Sequence, residues 1–131
     1  MDNEKRTEVE RWIIKAENDF NTAQLIVSSA NPITDTLCFH SHQTAEKILK
    51  AYLAFREQAV EKTHDLGRLI GLCAKLDNSF LDIAPFLAEM ANYAAADRYP
   101  DGWREILLPE AKEAFEKAEK VMAFVKGKII L

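Results

Sequence analysis

The stretch "FHSHQTAEKILK", residues 39–50, decides the fold prediction because it sets two histidines, a glutamate and two lysines inside an otherwise apolar run. In a helix, each residue turns the chain by about 100° around the axis. His42 then shares one sector with the apolar residues Cys38, Ala45, Leu49 and Leu53. His40 falls on the other side, with Gln43, Lys47 and Ala54. We therefore predict a helix from about Ile33 to Glu57 with one face in the core and one face outward.

Four further segments repeat apolar residues at three- and four-residue steps, which is typical of amphipathic helices. They cover about 7–29, 63–76, 80–97 with a break or restart at Pro85, and 109–126. Thr63 is a candidate cap of the third helix, Pro109 suits the first position of the fifth, and Gly127 is its predicted end. The predicted core draws large side chains from every segment: Trp12, Phe20, Leu49, Leu69, Phe86, Phe115 and Met122.

No segment shows the alternation expected of a strand, so the predicted fold class is all-α. Long amphipathic helices with short links favour an antiparallel up-and-down helical bundle of four to five helices. A chain of 131 residues with 48% apolar residues fits one domain over residues 1–131.

Composition also limits the partners and the cell compartment. The formal net charge is -4, whereas a nucleic-acid-binding domain usually has a basic excess, so any contact with RNA must come from a local patch. The cysteines Cys38 and Cys73 stand in apolar contexts and are predicted to be reduced core residues of a cytoplasmic protein. The charged N-terminus predicts no signal peptide, and no run approaches the roughly 20 apolar residues of a membrane span.

The histidines do not predict a metal site. His40 and His42 diverge around the helix, whereas two ligands on one helix need a spacing of four residues. For His42 the sequence leaves two interpretations open: a core histidine with satisfied hydrogen bonds, or a site histidine at a helix interface. His64, which opens the third helix, is predicted to support the preceding loop.

Four more charged residues are candidates for a polar site. Glu46 stands one turn before Lys50, a spacing that favours an ion pair, and a surface salt bridge is the simplest interpretation. Glu46 also borders the apolar sector, as Asp19 does on the first helix, so either acid could pair with Arg98 or a lysine inside the bundle. Arg98 is predicted to end the fourth helix, where the helix dipole favours a positive charge. The other interpretation is that Arg98 contacts a phosphate.

Four motifs occur in one order along the chain: "AENDFNTAQLI", "CFHSHQTAEKILKAYLAF", "THDLGRLI" and "ADRYPD". This set, from about Arg11 to Lys126, resembles the small single-domain prokaryotic members of the HEPN family. The resemblance implies an all-α up-and-down bundle, commonly a homodimer, with a link to nucleotides or RNA. Many members are ribonuclease toxins, and some are encoded beside a minimal nucleotidyltransferase that acts as the antitoxin.

The sequence departs from the ribonuclease members at one place. Those members carry an arginine followed a few residues later by a histidine; Arg98 matches the arginine, but positions 103–105 hold tryptophan, arginine and glutamate. We therefore expect a dimeric nucleotide-binding or nucleotidyltransferase-partner protein of a toxin–antitoxin type system, without a cofactor. The predicted ligand-binding residues are Arg98, Lys47, Lys50, Glu46, Asp19 and His42.

Two alternatives stay open at this point. One is a metal-independent endoribonuclease that uses Arg98 with a non-standard histidine, His42 or His64. The other is a structural interaction module whose interface includes the outward apolar residues Ile14 and Leu25. The predicted homodimer draws on the same two residues and on the aromatic pair Tyr99 and Trp103.

Overall fold

The structure, a computed structural model, describes residues 1–93 and 104–131. Within these ranges the chain forms five α-helices and one 3₁₀ turn, and no strand. The elements are α1 (Asn3–Val27), α2 (Thr34–Phe55), α3 (Leu66–Leu76), the 3₁₀ turn (Asn78–Asp82), α4 (Ala84–Met90) and α5 (Leu108–Lys128). The predicted all-α helical bundle is therefore confirmed. Arg98, Tyr99 and Trp103 lie outside the described residues.

Helix α2 is the centre of the bundle, and 15 of its residues are buried. Helix α1 packs along α2 in the opposite direction, and Phe20 of α1 stacks on Phe115 of α5 at 5.3 Å. At the far end of α2, Phe80 of the 3₁₀ turn contacts both Tyr52 and Phe124. The other helices cover α2 on most of its sides. Polar residues of α2 are therefore buried together with its apolar ones.

The central position of α2 corrects one prediction. The sector of His40, Gln43, Lys47 and Ala54 was expected to face outward, but Gln43 and Ala54 are buried and the other two are half-buried. The helical pattern separated apolar from polar residues correctly. It did not show that α1 lies over the polar sector.

Aspartate side chains cap the starts of α1 and α3, and both starts differ from the predicted ones. Helix α1 begins at Asn3 because the carboxylate of Asp2 accepts the backbone N–H of Lys5 at 2.8 Å. Helix α3 begins at Leu66, since Asp65 rather than Thr63 accepts the N–H of Arg68. The hydroxyl of Thr63 instead accepts the backbone N–H of Asp65 at 3.1 Å.

Two other predicted helix boundaries can be compared with the structure. The predicted fourth helix is interrupted near Pro85, as expected, because the 3₁₀ turn ends before α4 begins. Gly127 does not end the last helix, which continues to Lys128.

The core confirms the predicted apolar stripes. Leu49, Leu69, Phe115 and Met122 are buried, and the three remaining predicted core residues, Trp12, Phe20 and Phe86, are partly buried against them. Both cysteines are free and buried, and burial raises the pKa of Cys38 and of Cys73 to about 12.

Candidate functional site

A buried carboxylate on α2 is the centre of the first polar cluster. Glu46 Oε2 accepts a hydrogen bond from Lys50 Nζ at 3.1 Å, and Glu46 Oε1 accepts one from His64 Nδ1 at 2.9 Å. Glu46 is 2% exposed and Lys50 is 4% exposed, whereas the side chain of His64 is 62% exposed. The cluster therefore connects the core to the protein surface through one imidazole. We call Glu46, Lys50 and His64 the Glu46 cluster.

The chain path between α2 and α3 places His64 there. Residues 56–65 connect the end of α2 to the start of α3 and return His64 to the level of Glu46, more than two turns before the end of α2. Asp65 then caps α3. The prediction that His64 supports this loop agrees with its hydrogen bond to Glu46.

A second carboxylate repeats the arrangement between α1 and α2. Asp19 Oδ2 accepts a hydrogen bond from Lys47 Nζ at 2.5 Å, and Asp19 Oδ1 accepts one from His40 Nδ1 at 2.8 Å. Asp19 is buried and both partners are half-buried. Each of the two acids of the predicted site thus holds one lysine and one histidine.

His42 is a core histidine with one satisfied nitrogen. It is fully buried, and its Nδ1 lies 3.1 Å from Gln43 Oε1. Its Nε2 is buried without a hydrogen-bond partner in the described part of the chain. Burial lowers the pKa of His42, and this outweighs the opposing effects of the Gln43 hydrogen bond and the charge of Glu46.

The buried imidazole predicts a pH dependence of stability. Because the pKa of His42 is lowered in the folded state, the unfolded chain binds more protons as the pH falls below about 6.5. The free energy of unfolding should therefore decrease as the pH falls below 6.5 and level off below the folded pKa. Urea denaturation between pH 8 and about pH 5 measures this slope. His42→Asn should reduce the slope and His40→Asn should keep more of it; equal slopes in both variants would contradict the assignment.

The structure brings together some of the predicted site residues. Glu46 and Lys50 form the predicted helical pair, but the pair is buried rather than on the surface, because α1 covers this side of α2. Lys47 and Lys50 were both predicted as ligand-binding residues, with one lysine contacting the phosphate together with Arg98. In the structure, Asp19 neutralises Lys47 and Glu46 neutralises Lys50. Arg98 lies outside the described residues.

The predicted ligand-binding set left out three participants in these clusters. His40 and His64 complete the hydrogen bonds of the two acids, and the Lys50 ammonium lies 5.4 Å from the ring centre of Trp12. The Asp19–His40 contact spans 21 residues of sequence and the His64–Glu46 contact spans 18. The spacing of residues within one helix cannot predict contacts between residues so far apart in the sequence.

A separate cavity of about 270 Å³ lies between α4 and α5. On one wall, Glu110 accepts hydrogen bonds from Tyr93 Oη at 2.7 Å and from both terminal nitrogens of Arg104. On the other, Lys117 contacts Glu89 and Glu113. The Arg104 and Tyr93 hydrogen bonds lower the pKa of Glu110. The charged groups of this cavity are thus paired with one another.

Neither a metal centre nor a membrane span is found in the described ranges. Within residues 1–93 and 104–131, no group of three or more His, Cys, Asp or Glu side chains is arranged to hold a metal ion. None of the helices in the same ranges has the length and apolar character needed to cross a membrane.

The described residues thus form a small all-helical bundle with both polar clusters on its central helix. The sequence profile of the HEPN domain matches residues 9–128, and the chain belongs to the HEPN family. This match confirms the resemblance drawn from the four sequence motifs.

Solved structures share this fold. The chain is similar to TT1696 from Thermus thermophilus, with 26% identity, a TM-score of 0.78, and coverage of 92% of this chain and 97% of that protein. It is also similar to ST0689, an archaeal HEPN homologue, with 29% identity, a TM-score of 0.72, and coverage of 93% and 98%. A search of curated proteins gives no significant match.

Proposed function

We propose that this HEPN-family chain is a nucleotide-binding module that works as a homodimer beside a minimal nucleotidyltransferase, in a toxin–antitoxin type system. The observation that carries the proposal is the Glu46 cluster, an ion pair built inside an apolar bundle. Desolvating each charge costs several kcal/mol, and well-packed apolar residues are often equally stabilising. Fully buried charged side chains are rare in proteins, and this pair connects to the exposed imidazole of His64, which makes the cluster a candidate site.

The proposed ligand group is a phosphate. Asp19 neutralises Lys47 and Glu46 neutralises Lys50. These carboxylates therefore orient the two lysines, and each pair has no net charge. The additional positive charge for a phosphate comes in this proposal from Arg98, which is included on the HEPN resemblance. A planar guanidinium suits phosphate because it donates two parallel hydrogen bonds.

The charge of the whole chain favours a small ligand. The formal net charge is -4, which opposes the approach of a long polyanion along the surface. Affinity for nucleic acid grows with the number of phosphates that cations neutralise. A mononucleotide needs only one such contact, so we propose a mononucleotide rather than RNA as the ligand.

Calorimetry with AMP, ATP and GTP tests the proposal. We expect measurable binding of at least one of them, and Arg98→Ala should weaken it about tenfold or more, since a charge-assisted hydrogen bond to phosphate is lost. Arg6→Ala is the control, because Arg6 pairs with Glu10 on the exposed surface of α1. The same protein should not cleave RNA above background. Absence of heat with every nucleotide contradicts the proposal.

The ribonuclease alternative now depends on one histidine. His42 is fully buried and its pKa is lowered, so it is poorly placed to reach a substrate. His64 is exposed, and Glu46 fixes its Nδ1, which is the arrangement of a carboxylate-oriented general base. RNA cleavage that is abolished by Arg98→Ala and by His64→Asn would support this alternative over the binding module.

Exposed aliphatic side chains on α1 support the proposed homodimer. Ile14 and Leu25 are both more than half exposed, although they belong to a helix whose other face is packed on α2. Exposed apolar groups of this kind are common at protein interfaces. Light scattering at micromolar concentration should give twice the mass of the 14.9 kDa chain, and the mass of a single chain contradicts the dimer.

A further inference from the structure

We infer that His64 recognises the phosphate of the bound nucleotide, and that it selects a phosphate monoester over a diester. The inference rests on the proposed nucleotide binding and assigns to it a residue outside the predicted ligand set. It also narrows the class of ligand, from nucleotides in general to those with a terminal phosphate.

The imidazole of His64 is held in place although most of it is exposed. Its Nδ1 contacts the carboxylate of Glu46 at 2.9 Å, and that carboxylate is itself fixed by Lys50. An exposed side chain held through a fully buried carboxylate loses little further conformational freedom when it binds a ligand.

The hydrogen bond to Glu46 also fixes the tautomer. A carboxylate only accepts hydrogen bonds, so Nδ1 of His64 carries a proton and donates it. Nε2 then lies at the opposite edge of the ring, and no hydrogen-bond partner for it is found in residues 1–93 and 104–131. A role confined to supporting the loop would need only Nδ1.

A phosphate monoester suits this nitrogen because its second ionisable oxygen provides either a P–OH donor or a second negative charge. The second pKa of a phosphate monoester is about 6. A monoanion can donate its proton to the Nε2 lone pair, and a dianion can accept one from the doubly protonated ring. In either state one proton lies between Nε2 and a phosphate oxygen. A diester has no second proton and carries a single charge, so it gains less.

The surrounding charges permit the approach of a phosphate dianion. Lys50 neutralises Glu46, so the Glu46 cluster presents no net negative charge. The neighbouring carboxylate of Asp65 accepts the backbone N–H of Arg68 at the first turn of α3, where the helix dipole is positive. His64 thus has no uncompensated anion among its described contacts.

The variant His64→Asn tests the role of Nε2 separately from that of Nδ1. The asparagine amide reproduces the Nδ1 donor toward Glu46 and removes Nε2. Calorimetry on the full chain compares AMP, a monoester, with cyclic AMP, a diester of the same nucleoside. We expect wild-type protein to prefer AMP, and His64→Asn to weaken AMP binding about tenfold or more while cyclic AMP binding stays within about twofold. Arg6→Ala, which breaks only the exposed Arg6–Glu10 pair on α1, should leave both affinities unchanged.

The outcomes separate this inference from the proposed function. If AMP binds and His64→Asn binds it as tightly, with unchanged thermal stability, the assignment of His64 is wrong and the nucleotide-binding proposal stands. If cyclic AMP binding falls as much as AMP binding, the selection of a monoester is wrong. If no nucleotide binds wild-type protein, the proposed function fails, and this inference fails with it.

Discussion

Glu46→Gln should lower the free energy of unfolding by about 3–5 kcal/mol, because it leaves the ammonium of Lys50 buried without a counter-charge. The glutamine amide has almost the same shape as the carboxylate, so the packing of α2 against α1 changes little. The loss is therefore electrostatic. Urea denaturation at neutral pH measures it, and the dependence on urea concentration should stay the same as in wild-type protein.

Two further variants show whether burial is the cause. Glu46→Leu combined with Lys50→Met removes both charges, and should recover most of the stability lost in Glu46→Gln, since an apolar pair has no desolvation penalty. Glu10→Gln breaks the exposed Arg6–Glu10 pair, which has the same four-residue spacing, and should cost less than about 1 kcal/mol. Equal losses in Glu46→Gln and Glu10→Gln would show that the Glu46 cluster is not desolvated.

Leu49→Ala should lower the free energy of unfolding by about 2–5 kcal/mol. Leu49 is fully buried at the centre of α2, and its backbone carbonyl lies 3.9 Å from the sulfur of Cys73 on α3. Truncation removes apolar contacts on the most enclosed helix of the bundle, and the remaining cavity is lined by helices that cannot collapse freely. Thermal and urea denaturation measure the change.

Leu107→Ala is the matched control for Leu49→Ala. Leu107 is 62% exposed just before α5, so the same chemical change should alter stability by no more than about 0.5 kcal/mol. A loss in Leu49→Ala as small as that in Leu107→Ala would refute the central position of α2. Leu25 is unsuitable as the control, because the proposed homodimer places it in the interface.

These two large effects differ in how far the sequence predicts them. The burial of Leu49 follows from helical periodicity, because an apolar residue that recurs with Cys38, Ala45 and Leu53 must face the core. The pairing of Glu46 with Lys50 follows from their four-residue spacing. The burial of that pair does not follow, since the spacing is the same in exposed pairs such as Arg6–Glu10.

The sequence by itself determined the helices, the core stripes, the family and the Glu46–Lys50 pair. All of these depend on residues a few positions apart or on an ordered set of motifs. Only the tertiary structure decided that Glu46 is desolvated, that Asp19 holds Lys47 from 28 residues away, and that His64 closes the Glu46 cluster from 18 residues away. The physical reason is that a helical pattern gives the direction of a side chain around its own axis. The packing of the whole bundle decides which neighbouring helix covers that side chain. It also decides which residue of a connecting segment comes to lie beside it.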